Sequence, residues 1–102
     1  MRIILTTVGD DSQADKLANE ILRRKMAACV SKVPIKSKYW WKGVLEESSE
    51  ILLVIKTVDE LARKLVSFLE ENHPYEVPEI LVLPVEEVSK SYEEWLYNVT
   101  EV

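Results

Sequence analysis

The sequence predicts an α+β fold, one sheet covered by two helices, with an over-long central hairpin and a helix at the C-terminus. Three observations carry this. Strand-like and helix-like apolar patterns follow one another in the order β-α-β-β-α-β. The two middle strand patterns meet at Lys42-Gly43, a pair suited to a tight turn. The stiff run His73-Pro74-Tyr75-Glu76-Val77-Pro78-Glu79-Ile80 divides the second helix from the last strand. Pro74 pushes His73 toward extended backbone, which stops a helix. Pro78 cannot donate to a ladder, so a strand begins near it.

In chain order, Arg2 to Val8 reads as a strand, with Ile3, Ile4 and Leu5 followed by β-branched Thr6, Thr7 and Val8. Gly9-Asp10-Asp11-Ser12 is a turn and helix start. From Ser12 to Met26 the apolar residues Ala14, Leu17, Ala18, Ile21, Leu22 and Met26 form one helical face. Asp11 and Asp15 near its start and Arg23, Arg24 and Lys25 near its end suit the helix dipole. Ala27 to Val33 is the second strand, which Pro34 is expected to break or bulge before it resumes from Ile35 to Trp41. Val44 to Thr57 is the return strand. Its run Ile51-Leu52-Leu53-Val54-Ile55 suggests a central strand buried on both faces. Thr57 with Glu60 predicts a capping box for a helix reaching Asn72, with Leu61, Leu65, Phe68 and Leu69 on one face. Ile80 to Leu83 is the last strand, stopped by Pro84. Ser91 with Glu94 predicts a second capping box, opening a short helix with Tyr92, Trp95, Leu96 and Val99 inward.

This order is the split-βαβ, ferredoxin-like sandwich. Right-handed crossovers make the first and third strands central and put the second at an edge. Such a sheet needs strands of roughly 5–8 residues, and each hairpin arm runs to about 14, so the hairpin projects. A projecting edge carrying Tyr39, Trp40 and Trp41 invites pairing. Association of subunits through the hairpin, as a closed ring, is therefore expected.

A chain of 102 residues implies one domain, residues 1–102, with a small core. At 47% hydrophobic with two glycines and four prolines, it is not a disordered or low-complexity sequence. The net charge of −5 argues against nucleic-acid phosphates as partners. The single cysteine, Cys29, rules out an intramolecular disulfide and makes a reducing cytoplasm the expected location. The apolar run ending at Val8 is too short for a signal peptide, and no run approaches the roughly 20 residues of a membrane span.

Candidate chemistry is sparse. Cys29 is a soft thiolate donor or a small core residue. His73 is a metal ligand, a pH-sensitive group or a helix cap. No second histidine exists, so a one-chain His-His or Cys-x-x-Cys zinc site is excluded. A metal site must mix Cys29, His73 and carboxylates, or lie between chains. Tyr39 and Trp41 share one face of the hairpin and Trp40 the other. With Lys36, Lys38 and Lys42 they resemble a single-strand nucleic-acid platform, but Glu46, Glu47 and Glu50 lie opposite, which favours use as interface aromatics. Glu76 and Glu79, three apart on extended backbone, face opposite sides and do not form an acid-base pair. Two glycines cannot make a phosphate-cradling loop. A Cys29–His73 nucleophilic pair would need an orienting third group that nothing in the sequence places.

Thr6-Thr7, Ala28-Cys29-Val30, Tyr39-x-Trp41-x-Gly43, Lys56-Thr57, His73-Pro74-Tyr75-x-x-Pro78-Glu79-Ile80 and Tyr92-x-x-Trp95-Leu96, in this order, resemble the CutA family of divalent-cation tolerance proteins over nearly the whole chain. The resemblance implies a ferredoxin-like homotrimer built by pairing of long hairpins. It also implies binding of copper or another divalent cation between subunits, and no catalytic reaction. Carried over, the metal candidates are Cys29, His73 and Glu79, and the cleft candidates are Tyr39, Trp41, Lys56 and Tyr75. A related implication is a PII-like regulatory module that binds a small anionic ligand or a partner protein, with Lys56 supplying charge. One departure is Ser31, where the resemblance leads one to expect Asn.

Overall fold

The computed structural model describes all 102 residues. The elements are β1 (Arg2–Val8), α1 (Asp11–Arg23), β2 (Cys29–Trp41), β3 (Val44–Thr57), α2 (Asp59–Asn72), β4 (Ile80–Pro84) and α3 (Lys90–Thr100). The strands form one antiparallel sheet in the order β2-β3-β1-β4. The first and third strands are central and the second is an edge, as right-handed crossovers require. The expected ferredoxin-like sandwich, long hairpin and terminal helix are all present.

The core lies between one sheet face and the first two helices. Ile4 and Val8 of β1 and Leu53 and Ile55 of β3 meet Ala14, Leu17 and Ile21 of α1 and Leu65, Phe68 and Leu69 of α2. These positions recur every second residue on the strands and every third or fourth on the helices, so each element buries a single face. Asp10 caps α1 by accepting the Gln13 N–H at 2.8 Å. His73 ends α2 in extended backbone, its N–H still bonded to Leu69 O. That is the stop its proline neighbour dictates.

The hairpin closes through Lys42 (φ 50°) and Gly43 (φ 78°). Positive φ at both central residues makes a type I′ turn, whose twist matches the flanking strands. The β2–β3 ladder runs from Cys29↔Lys56 to Trp41↔Val44, while β1 pairs with β3 only from Ile51 onward. Seven residues of each arm thus extend past the sheet by about 23 Å at 3.3 Å per residue. The molecule measures 45 × 26 × 21 Å.

Four expectations need correction. Pro34 neither breaks nor bulges β2; it pairs with Ile51 in an unbroken register. Its missing N–H falls on the outer edge of an edge strand, where the chain itself supplies no partner. Neither capping box forms. Thr57 is buried at the end of β3 and donates to Met26 O at 2.7 Å, and α2 begins after Val58 without a side-chain cap. The last helix starts after Ser89, again uncapped by a side chain, rather than at Ser91. Trp95 points outward at 41% exposure, because α3 buries Leu96 and Thr100 instead.

The fourth correction concerns the apolar run of β3. Leu53 and Ile55 are fully buried on the helix side, but Leu52 and Val54 on the other face are only half-buried. The two core helices lie on the opposite face, and α3 reaches only the Cys29 end of this one. Register places Ile3 and Leu5 of β1, Val33 of β2 and Leu81 and Leu83 of β4 on it as well. Val33, Leu81 and Leu83 are 41%, 47% and 42% exposed. One chain therefore leaves a continuous apolar sheet face open, more than scattered surface leucines would explain.

Candidate functional site

The open face and the sheet end beside it hold two groups of polar side chains. The first lies where β2 begins. Cys29 and Lys56 are register partners, and Ser31 is the next residue of β2 on the same face. The Lys56 ammonium lies 3.8 Å from Cys29 Sγ and also donates to Ser31 Oγ. Cys29 Sγ and Ser31 Oγ are 3.9 Å apart. Serine at the departure position thus has a defined use: its hydroxyl accepts the lysine. Tyr92 of α3 closes the group from the side. Burial lifts its phenol pKa above the ordinary value, and the neighbouring Cys29 adds to the rise.

The second group lies at the other end, where the hairpin leaves the sheet. Tyr75 donates its hydroxyl to Glu50 Oε2 at 2.7 Å, and Glu50 is only 8% exposed. Burial raises the Tyr75 phenol far above the ordinary tyrosine range, and the Glu50 hydrogen bond and charge push the same way. Tyr39 donates to or accepts from Ser48 Oγ at 3.1 Å on this face, close enough to Tyr75 to add to that rise. Beside Glu50 lies a shallow depression of about 310 Å³, walled by Gly9, Pro34, Ile35, Lys36 and Ser49.

His73 stands behind this second group. Its Nδ1 accepts the Tyr75 N–H at 3.0 Å, and its Nε2 lies 2.9 Å from Thr6 Oγ1. An Nδ1 that accepts carries no proton, so the assigned tautomer has Nε2–H donating to Thr6. Burial lowers the His73 pKa below 6.5, while the Thr7 backbone and the Glu50 charge pull it upward. The stiff segment thus uses its histidine to brace its own tyrosine.

Tyr39 and Tyr75 come together, and so do Cys29 and Lys56. Trp41 shares the hairpin face with Tyr39, two residues nearer the tip, and lies under the Lys42 ammonium at 5.6 Å. Cys29 and His73 do not meet. Cys29 is level with Ile3 of β1 through Lys56, whereas His73 contacts Thr6, about 10 Å further along. Thr6 also points to the opposite face. Glu79 is exposed, and no group of three or more His, Cys, Asp or Glu side chains in the chain could hold a metal ion. Both His73 nitrogens are engaged, so a multidentate cation site within one chain does not fit these residues. Glu50 is the residue that sequence reasoning passed over, read only as one of the carboxylates opposite the hairpin lysines. Its signal was faint: a lone carboxylate just before the apolar run.

Comparison with known proteins agrees with the residues. The family model described as CutA1 divalent ion tolerance protein matches residues 2–99. The chain is 42% identical over 96 residues to mouse "Protein CutA", covering 93% of this chain and 54% of that one. It is 42% identical over 95 residues to the divalent-cation tolerance protein CutA of Pectobacterium atrosepticum, covering 92% and 86%. It therefore spans about half the length of the mouse relative and most of the bacterial one. The crystal structure of CutA1 from Pyrococcus horikoshii superposes with a TM-score of 0.94 at 34% identity, covering 97% of each chain.

Proposed function

The chain belongs to the CutA1 divalent ion tolerance family, and on that premise we propose that it works as a homotrimer taking up a divalent cation, copper foremost, at sites between subunits. The observation that carries the reading is Cys29, the chain's one thiol, half-buried on the uncovered apolar sheet face. A thiolate selects copper by ligand type, and a site that one chain cannot complete is completed only by another. The ring follows from two further features. The outer edges of β2 and β4 are both free, and a head-to-tail pairing of unlike edges closes as a ring without leaving a strand exposed. The trimer is the form the family resemblance implies. A reducing compartment such as the cytoplasm, which keeps the thiol free, belongs to the same proposal.

Within the cleft, Lys56 competes with a cation for Cys29, so metal uptake displaces the ammonium from the sulfur. Native mass spectrometry with stepwise Cu(II), and with Cu(I) under reductant, tests the reading. The expected result is a particle of about 35 kDa, three copies of 11.8 kDa, binding a fixed number of copper ions. Uptake is lost in Cys29→Ser. A trimer with only graded uptake refutes the metal reading and leaves a PII-like module binding an anion at Lys56. No helix of the structure is long and apolar enough to cross a membrane.

A further inference from the structure

Two charges on the open face lack a counter-ion. Glu50 is buried and accepts a hydrogen bond only from the neutral Tyr75 hydroxyl. Lys56 is half-buried, and its ammonium meets a thiol and a hydroxyl, not a carboxylate. Neither takes part in an ion pair within the chain. Burying a charge is unfavourable unless it is paired, and each additional apolar surface laid on this face would raise the penalty.

The two residues stand six apart on β3, so they point to the same side. At about 3.3 Å per residue they are separated by roughly 20 Å along a stiff strand and cannot reach each other. An apolar face with an unpaired cation at one end and an unpaired anion at the other is self-complementary. In a closed ring the copy on one side neutralises the cation and the copy on the other side neutralises the anion, while the residues between them bury their apolar surface.

We infer that Lys56 of each subunit pairs with the partner's Glu50. The pair builds one composite cleft, with Cys29, Ser31 and Lys56 from one chain and Tyr39, Glu50 and Tyr75 from the next. The inference rests on the proposed assembly and deepens it: it states which ends of two chains meet. A divalent cation entering this cleft finds the thiol and a carboxylate together, donors that lie at opposite ends of any single chain. Complementary charges also set the register of the apolar faces, which by themselves would slide.

Carbodiimide coupling tests the pairing on the intact protein, since it joins an ammonium to a carboxylate only in direct contact. A Lys56–Glu50 amide cannot form within one chain, so its detection by peptide mass spectrometry reports the interface. The exposed pair Lys38–Glu47, 3.7 Å apart, serves as the coupling control. In parallel, Lys56→Glu and Glu50→Lys are each expected to raise the trimer dissociation constant at least tenfold. The two together are expected to return it to within about threefold of the parent. The link or the rescue supports the pairing. A trimer that shows the control link but neither the Lys56–Glu50 link nor the rescue overturns the pairing and leaves the assembly standing. A monomer at micromolar concentration in native mass spectrometry overturns both.

Discussion

Replacing Tyr75 with Phe removes one hydroxyl and keeps the ring. That hydroxyl is the only hydrogen-bond partner of Glu50 in the chain, at 2.7 Å. Glu50 has little water to turn to, being only 8% exposed. A hydrogen bond to a charged group contributes about 1.5–3 kcal/mol, and a buried acceptor left unmatched sits toward the upper part of that range. The expected loss is therefore about 2–3 kcal/mol, or roughly 30- to 150-fold in the folding equilibrium. Urea unfolding at pH 7 reads it, with chain concentration held constant because association would otherwise shift the midpoint. The same Tyr75→Phe change made together with Glu50→Gln removes a neutral bond and is expected to cost only about 0.5–1.5 kcal/mol. A loss below about 0.5 kcal/mol, or an equal loss in both backgrounds, would show that the carboxylate does not depend on Tyr75.

Other perturbations probe the rest of the structure. Leu53→Ala, at a fully buried central-strand position, should lower the unfolding free energy by about 2–5 kcal/mol; a loss under 1 kcal/mol by the same urea assay would contradict the packing described. Gly43→Ala meets no neighbouring atom but must hold φ +78°, so about 1–2 kcal/mol is expected from backbone strain alone. An unchanged thermal midpoint would argue against the type I′ turn. His73 has a native pKa lowered by burial, so its unfolded form binds the proton more readily. Its contribution is fully present above the unfolded value of about 6.5 and is lost as pH falls through the lowered native value. Stability measured between pH 8 and pH 5 should decline more steeply for the parent than for His73→Gln, and parallel profiles would contradict this.

Much of the architecture is legible from local pattern. The bounds of β1 and β3, the Lys42-Gly43 turn, the α2 stop before Pro74 and the over-long hairpin all follow from residue period, backbone restriction and arm length. Those signals act within a few residues, so a linear reading captures them. The Thr57–Glu60 capping box failed because that match says nothing about Met26, whose carbonyl takes the Thr57 hydroxyl from 31 positions away; the Ser91–Glu94 box failed because the last helix already starts after Ser89. Pro34 was misjudged because, although the second strand was expected at an edge, only the β2–β3 register reveals that the missing donor turns away from β3.

The candidate site divides in the same manner. The sequence by itself determined which side chains carry chemistry: one thiol, one histidine, and a stiff segment presenting Tyr75. It also determined that Leu52 and Val54 are apolar on the second face of a central strand. Tertiary structure alone decided how they are grouped. It set Cys29 against Lys56 through the β2–β3 register, and it separated Cys29 from His73 by placing them at different levels of the sheet. It enclosed Glu50 by bringing Tyr75 over the hairpin root from 25 residues away. Periodicity tells which way a side chain points; burial and charge pairing depend on what arrives from elsewhere in the chain or, on the open face here, from another copy of it.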